Sequence, residues 1–382
     1  MTKIAENLVG SAEVHVLCGP KGYGDLENDS NDNVEGVIIH RLKAFNLDKN
    51  NIVFRLLRLT FLSLGMFFFC LIKVTKNDKL LLVTNPALSV PLFGFLKNLK
   101  KFQFYILVHD VFPENLIAAN ILKSKKNIIY RLLRNIFNSS YSQANKLFVL
   151  GRDMAQIMSK KTSIKTKITI IENWADLDNI CPTSFIDNPI IKEHNLQEKI
   201  VFLFAGNLGR LQGLNFLFDI ISLINNDLIH FLFVGNGAMF SELKEIKNQK
   251  ELKNILFLGS LPRNQQSNFL NASHFGVVTL EQEVLGLGVP SKSYNILAAG
   301  KPIFFIGNQL SEIAQLINES SCGVSFGMNE KNEIVNFLDN LNFKNVIQYS
   351  EMGILGRKVA HEKYSRDAIL LKFKNEIVDA NQ

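Results

Sequence analysis

The sequence predicts an α/β fold of two successive doubly wound halves, each a parallel sheet covered by helices. Three observations predict it. Strand-length apolar runs alternate with helix-length runs along the chain, the pattern of repeated βαβ units. Phe102–His109 (FQFYILVH) is apolar almost without interruption, as a strand buried on both faces must be, and Ile200–Ala205 (IVFLFA) opens the second half in the same way. At 382 residues the chain is long for a single core.

The first half begins with the end of a helix, Lys3–Leu8. Strand Ala12–Cys18, a polar loop from Gly19 to Asn33 and strand Val34–Arg41 follow. Phe54–Lys73 is a strongly apolar helix. Its uncharged core, Leu59–Ile72, is 14 residues, short of the roughly 20 needed to span a bilayer, so it reads as a buried helix, with an interfacial helix as the alternative. Strand Lys79–Thr84, helix Ala87–Leu99 and strand Phe102–His109 come next. A basic helical stretch, Lys123–Ser140, precedes strand Lys146–Leu150, helix Arg152–Lys160 and strand Ile168–Ile171. Asp176–Glu198 is rich in turn formers and reads as a linker.

The second half repeats the alternation: strands Ile200–Ala205, Ile229–Val234, Ile255–Leu258, Phe275–Thr279 and Ile303–Ile306, with helices between them. Within it, Glu281–Ile303 reads as a glycine loop, a turn at Pro290 and a short helix that Ser291 is placed to cap. Free N–H groups at a helix start and the charge of Lys292 make this a candidate phosphate seat.

Composition narrows the partners. Up to Ala175 there are 24 Lys and Arg against 13 Asp and Glu, and beyond it 18 against 22. A basic first half and a mildly acidic second half imply different partners for the two. Nucleic acid is disfavoured, because the basic residues lie on helices without a recognised binding module. Cys18, Cys70, Cys181 and Cys322 are far apart, which argues for a reducing compartment and against zinc. The first residues carry charge and lack the apolar core of a secretory leader.

The motifs NWAD (Asn173–Asp176), AGNLGRLQG (Ala205–Gly213), FVGNGA (Phe233–Ala238), FLGSLPR (Phe257–Arg263) and GVPSKSYNILAAGKPI (Gly288–Ile303) occur in that order. With TNPA (Thr84–Ala87) and HDVFPE (His109–Glu114), they make the chain resemble the bacterial GT-B glycosyltransferases of family 4, in particular N-acetylfucosaminyltransferase-like enzymes of surface-polysaccharide clusters. The resemblance implies an acceptor-binding Rossmann-like domain over 1–175, a donor-binding one over 176–360, and a C-terminal helix over 361–382 that returns to the first. It implies transfer of an N-acetylated amino sugar from a UDP- or GDP-sugar to a lipid-linked glycan. The enzyme would be retaining, need no metal or other cofactor, and be cytoplasmic and peripheral on the inner face of the plasma membrane, against an anionic surface.

By the same resemblance, Gly206, Asn207, Gly209, Arg210, Gly235, Gly288, Ser291, Lys292 and Asn295 bind the donor, and His109 and Asp110 serve catalysis. The sequence departs from the family at three points. The two glutamates that many relatives use on the donor fall on Leu287 and Asn295, leaving Glu281 or Glu283 as substitutes. Gln212 stands where a lysine is frequent. The first strand and its glycine turn are lacking, which reads as a misplaced start or a truncated frame. A nucleotide-sugar epimerase of the same fold and an inactive sugar-nucleotide-binding paralogue are the alternatives. Asp176 and Asp178 mimic a metal-binding D-x-D but read as linker residues, and Glu114 reads more simply as a first-turn helix carboxylate.

Overall fold

A computed structural model describes residues 1–20, 34–43, 52–119, 121–163 and 165–378. The predicted loop over residues 21–33 lies outside them. The chain divides into two compact units: unit 1 holds Met1–Glu172 and the chain from Ile369 on, and unit 2 holds Asn173–Ala368.

Unit 1 opens with α1 (Thr2–Leu8), β1 (Val14–Cys18) and β2 (Val37–Arg41). β1 and β2 pair in parallel, Val14 opposite Val37 through Cys18 opposite Arg41. α2 (Ile52–Lys73) leads to a second parallel sheet of β3 (Lys79–Val83), β4 (Gln103–Val108), β5 (Lys146–Val149) and β6 (Lys167–Ile170), in that spatial order. The strands of the unit thus form a pair and a quartet, and no described strand joins β1 to β3.

The helices beside the quartet are α3 (Ser89–Lys100), α4 (Glu114–Ala118), α5 (Ile128–Gln143) and α6 (Arg152–Lys161). α2 packs on the strand pair and on α3. Its Leu62 lies beside Gly19, its Gly65 beside Leu42, and its Ser63 hydroxyl accepts from Ser89 at 3.2 Å. The expectation that this helix is buried fails: of Leu56–Lys73, 17 % is buried, and the stretch is long and apolar enough to cross a membrane by length and composition. Phe54, Leu57, Phe61, Phe68 and Ile72 are exposed at three-, four- and seven-residue steps, so they share one face of the helix, while its Ser63, Phe69 and Gly65 face α3 and the strand pair. The basic stretch is helical only from Ile128, since the Asn127 side chain accepts the Ile129 N–H at 2.8 Å and caps the helix there.

A buried ion pair ties α4 to α6. Lys161 Nζ lies 2.7 Å from both carboxylate oxygens of Glu114, and the Tyr130 hydroxyl of α5 donates to one of them at 3.2 Å. Glu114 is therefore a packing carboxylate.

Unit 2 is a six-stranded parallel sheet in the order β12-β11-β10-β7-β8-β9. The strands are β7 (Ile200–Ala205), β8 (Ile229–Val234), β9 (Ile255–Gly259), β10 (Phe275–Thr279), β11 (Ile303–Ile306) and β12 (Gly323–Phe326). Chain order runs outward in opposite directions from β7 and β10, so a switch point lies between their carboxyl ends, where such sheets bind ligands. The core is aromatic: Phe202 stacks on Phe275 at 4.8 Å and on Phe231 at 5.2 Å, with Phe304 edge-on at 5.1 Å. The segment expected as a linker is packed. It contains α7 (Pro189–Glu193), and its Asn188 side chain donates to the Asn268 carbonyl at 2.8 Å while Phe185 lies on His274. Four helices frame the site: α8 (Leu214–Ile221), α9 (Phe240–Gln249), α10 (Gln266–Asn271) and α11 (Lys292–Ala298). The chain rejoins unit 1 at Ile369, within the last helix, Arg366–Val378.

Candidate functional site

In unit 2 the site grows from the carboxyl ends of β7 and β8. Gly206 (φ 142°) and Gly235 (φ 136°) both lie in the region that favours glycine, and a Cβ on Gly235 would run into the Gly206 carbonyl. That contact lets the two loops pair: Gly206 N–H donates to Val234 O at 2.8 Å and Leu208 N–H to Asn236 O at 2.9 Å. Asn207 folds over Gly209, its Nδ2 2.7 Å from where a Gly209 Cβ would sit. Arg210 opens a 3-10 turn, Arg210–Gln212, and is exposed without an ion pair to any described residue.

Lys292, the first residue of α11, reaches back to this turn. Its Nζ donates to Gln212 Oε1 at 3.0 Å and lies 3.4 Å from the centroid of the Phe204 ring. No carboxylate among the described residues pairs with it. The residue as a whole is half-buried, but its ammonium is the buried end, and desolvation pushes its pKa well below the usual lysine range. Thr279 at the end of β10 donates to the Gln212 carbonyl and so holds the turn in place. A cavity of about 230 Å³ adjoins, lined by Ala205, Gly206, Phe269, Ser291, Lys292 and Asn295 among others.

Several expectations change in detail. Ser291 makes no side-chain cap, because its backbone is itself helical (φ −62°, ψ −23°) and the hydroxyl does not reach the next N–H groups; it is exposed at the cavity. Asn295 lines the cavity, but its Oδ1 accepts the Asp176 N–H at 3.3 Å, so its amide is what remains for a ligand. Asp176 accepts from Asn179 at 2.9 Å and Asp178 pairs with Arg366 at 2.5 Å, which makes the D-x-D a packing feature. Glu281 donates its N–H to Leu211 O at 3.1 Å, and burial raises its carboxyl pKa, with Glu283 adding to the shift. Glu283 is exposed, and neither glutamate lines the cavity. Gly288 sits between the 3-10 turn Gln282–Val284 and α11.

In unit 1, Thr84 joins the two weaker motifs. Its buried Oγ1 accepts the backbone N–H of His109 at 3.1 Å and of Asp110 at 3.2 Å, fixing the turn after β4. Burial lowers the His109 pKa, with Asp110 opposing, and burial raises the Asp110 pKa, with His109 opposing. Asn115 donates to Asp110 Oδ1 at 3.1 Å, while its own buried Oδ1 has no partner among the described residues. The arrangement can orient a hydroxyl on a carboxylate beside a neutral imidazole.

The sequence pattern described as glycosyl transferases group 1 matches residues 187–342. A probable glycosyltransferase of Pseudomonas aeruginosa, WbjE, is 36 % identical over 301 residues, covering 79 % of this chain and 74 % of its own. The chain belongs to the group 1 glycosyltransferases. A second relative of this glycosyltransferase is the putative colanic acid biosynthesis glycosyl transferase WcaI of Escherichia coli, 20 % identical over 63 % of this chain and 60 % of its own. Among solved structures, sucrose-phosphate synthase from Thermosynechococcus elongatus aligns with TM-score 0.76 at 14 % identity, covering 98 % of this chain and 90 % of that one. Anabaena HepE in complex with UDP-glucose aligns with TM-score 0.67 at 12 % identity, over 91 % and 86 %. The likenesses establish the GT-B fold of the glycosyltransferase.

Sequence reading missed Gln212 and Phe204 as the residues that hold Lys292. Gln212 stood out only as a missing lysine. In the glycosyltransferase a second lysine there would face Lys292 at about hydrogen-bond distance and repel it, so the amide suits its place.

Proposed function

We propose that this glycosyltransferase moves a sugar from a nucleoside-diphosphate sugar to a lipid-linked glycan during surface-polysaccharide assembly at the inner face of a membrane. The observation that carries the reading is the Lys292 ammonium: buried, without a counter-charge among the described residues, and beside a cavity of about 230 Å³. A buried cation of this kind is favourable once an anion joins it, and a departing diphosphate is the anion the family's chemistry creates. HepE, which shares the fold, was solved with UDP-glucose, and we take the donor here to be a UDP- or GDP-sugar. Arg210, the loop of Gly206, Asn207 and Gly209, and Gly288 and Ser291 complete the phosphate side, with Gly235 and Asn295 around the nucleoside. Glu283 and Glu281 stand four and six residues before Leu287, the donor-sugar position, and are its candidate substitutes. These cations replace a metal, so transfer proceeds in EDTA. An N-acetylated amino sugar and retention at the anomeric carbon are the finer expectations, read from the product.

Unit 1 takes the acceptor. Its hydroxyl is oriented by Asp110, its oxygen replaces the diphosphate at the anomeric carbon, and its proton passes to His109. Because burial lowers the His109 pKa, the imidazole is neutral at pH 7 and stays so to a pH below its ordinary midpoint. The acid limb of kcat therefore falls lower than for a free histidine. His109→Gln removes that limb and lowers kcat by about 10²–10⁴. A limb that survives in the variant takes His109 out of the mechanism.

Thermal melting with UDP and with GDP tests the donor, since a ligand of the folded state alone raises apparent stability with its concentration. One nucleotide is expected to stabilise the protein, and Arg210→Ala to reduce that shift. No shift with either nucleotide, or an undiminished shift in Arg210→Ala, overturns the phosphate assignment. Transfer from radiolabelled donors into lipid extracts then identifies the sugar.

A further inference from the structure

Unit 1 carries a surface that its own fold leaves uncovered. α2, α3 and α5 form one helical layer: Phe67 of α2 and Phe95 of α3 have ring centroids 6.5 Å apart, and Gly94 of α3 rests on Ser140 of α5. Right-handed β3–α3–β4 and β4–α5–β5 crossovers put α3 and α5 on the same side of the quartet, and α2 packs against α3 there. The sides of these helices turned away from their neighbours carry large apolar side chains among basic and polar ones. Phe68 and Ile72 of α2, Phe95 and Leu99 of α3, and Ile128 and Leu132 of α5 are all exposed, Ile72 by 77 % and Ile128 by 80 %. Large exposed apolar side chains on three helices packed side by side mark an interaction site.

Charge says what covers it. From Phe54 to Arg134 there are 13 Lys and Arg against three Asp and Glu. Of the three acids, Glu114 is held by Lys161 and Asp78 by Thr75. Lys125, Lys126 and Arg131 are exposed beside Ile128 and Leu132. Two copies of this face would bring like charges together, which disfavours self-association. An anionic bilayer accepts both components at once, apolar side chains at the acyl boundary and basic ones among lipid phosphates.

We propose that the outer face of α2, α3 and α5 is the seat of the protein on an anionic lipid bilayer. The proposal rests on the membrane-bound acceptor reading above and assigns the surface that reading needs. Helices in a parallel α/β sheet run against the strands, so the amino end of α5, with Ile128 and the preceding Lys125 and Lys126, lies at the edge where β4 delivers His109 and Asp110. A lipid-anchored acceptor held by unit 1 would then stand next to the bilayer.

Sedimentation of the full chain with phosphatidylcholine vesicles, with and without phosphatidylglycerol, tests this without any donor or acceptor. The wild type is expected to bind only the anionic vesicles and to be weakened by salt. Ile128→Ser with Leu132→Ser, at exposed positions, is expected to reduce binding roughly tenfold or more. Lys125→Glu with Lys126→Glu is expected to do the same without altering apolar area, and Ile347→Ser with Ile354→Ser, exposed on unit 2, to leave binding unchanged. Anionic-vesicle binding that both unit 1 pairs leave intact overturns the surface assignment while membrane association stands. No vesicle binding by the wild type, or a dimer that the Ile128/Leu132 pair dissolves, overturns both. Nucleotide-induced melting shifts are read separately and do not depend on either.

Discussion

Lys292→Met raises the melting temperature of the free protein and weakens nucleoside-diphosphate binding at once. The two effects have one cause. In the free protein the ammonium is buried on Gln212 and Phe204 with no carboxylate, so replacing it by an apolar chain of similar length removes a desolvation penalty of about 1–3 kcal/mol. In the complex the same ammonium faces the diphosphate, and its loss costs about 2–5 kcal/mol, roughly 30- to several thousand-fold in affinity. Calorimetric melting and titration with the nucleotide measure the pair. A variant that melts lower and binds normally would make Lys292 a structural residue and remove the phosphate seat. The pH dependence has a definite sign. Between the depressed folded pKa and the ordinary unfolded value, the unfolded state holds the extra proton, so this group makes stability rise with pH across that window. A bound diphosphate draws the proton back. At pH values inside that window binding therefore takes up protons in the wild type and not in Lys292→Met, which titrations in buffers of different ionisation enthalpy resolve.

Glu114→Gln destabilises unit 1 by about 3–5 kcal/mol, because it leaves the Lys161 ammonium buried against a neutral amide. Removing both charges, as Glu114→Leu with Lys161→Met, recovers most of the loss, since a packed apolar pair has no ion to desolvate. Denaturant unfolding measures the Glu114→Gln deficit, and that of the double variant and of the Glu114→Leu and Lys161→Met single variants closes the cycle. Burial already lowers the Lys161 pKa, with Glu114 opposing. Without Glu114 the folded pKa falls further, so the deficit of the single variant shrinks as pH rises and Lys161 discharges in the folded state. Transfer activity below the unfolding transition stays near that of the wild type. A deficit under about 1 kcal/mol, or activity lost without instability, would return Glu114 to the acceptor site.

The fold class was legible because its signal is local and repetitive. A parallel strand buried on both faces must be apolar throughout, and runs such as Gln103–Val108 and Ile200–Ala205 say so without reference to anything distant. The glycine loops were legible for a similar reason: Gly206 and Gly235 hold backbone angles and a close approach that other residues resist. Three matters needed the tertiary structure, and in each the deciding contact joins residues far apart in the chain. Gln212 and Lys292 are 80 residues apart, so the residue that positions the cation looked like a defect in a motif. Glu114 and Lys161 are 47 apart, and only their contact decides that this carboxylate packs. The apolar run in α2 is equally consistent with a core and with a surface, because hydrophobicity states that a side chain avoids water and not what covers it. Its neighbours in space settle that one side of it meets the strand pair and α3, and that among the described residues the other is left bare.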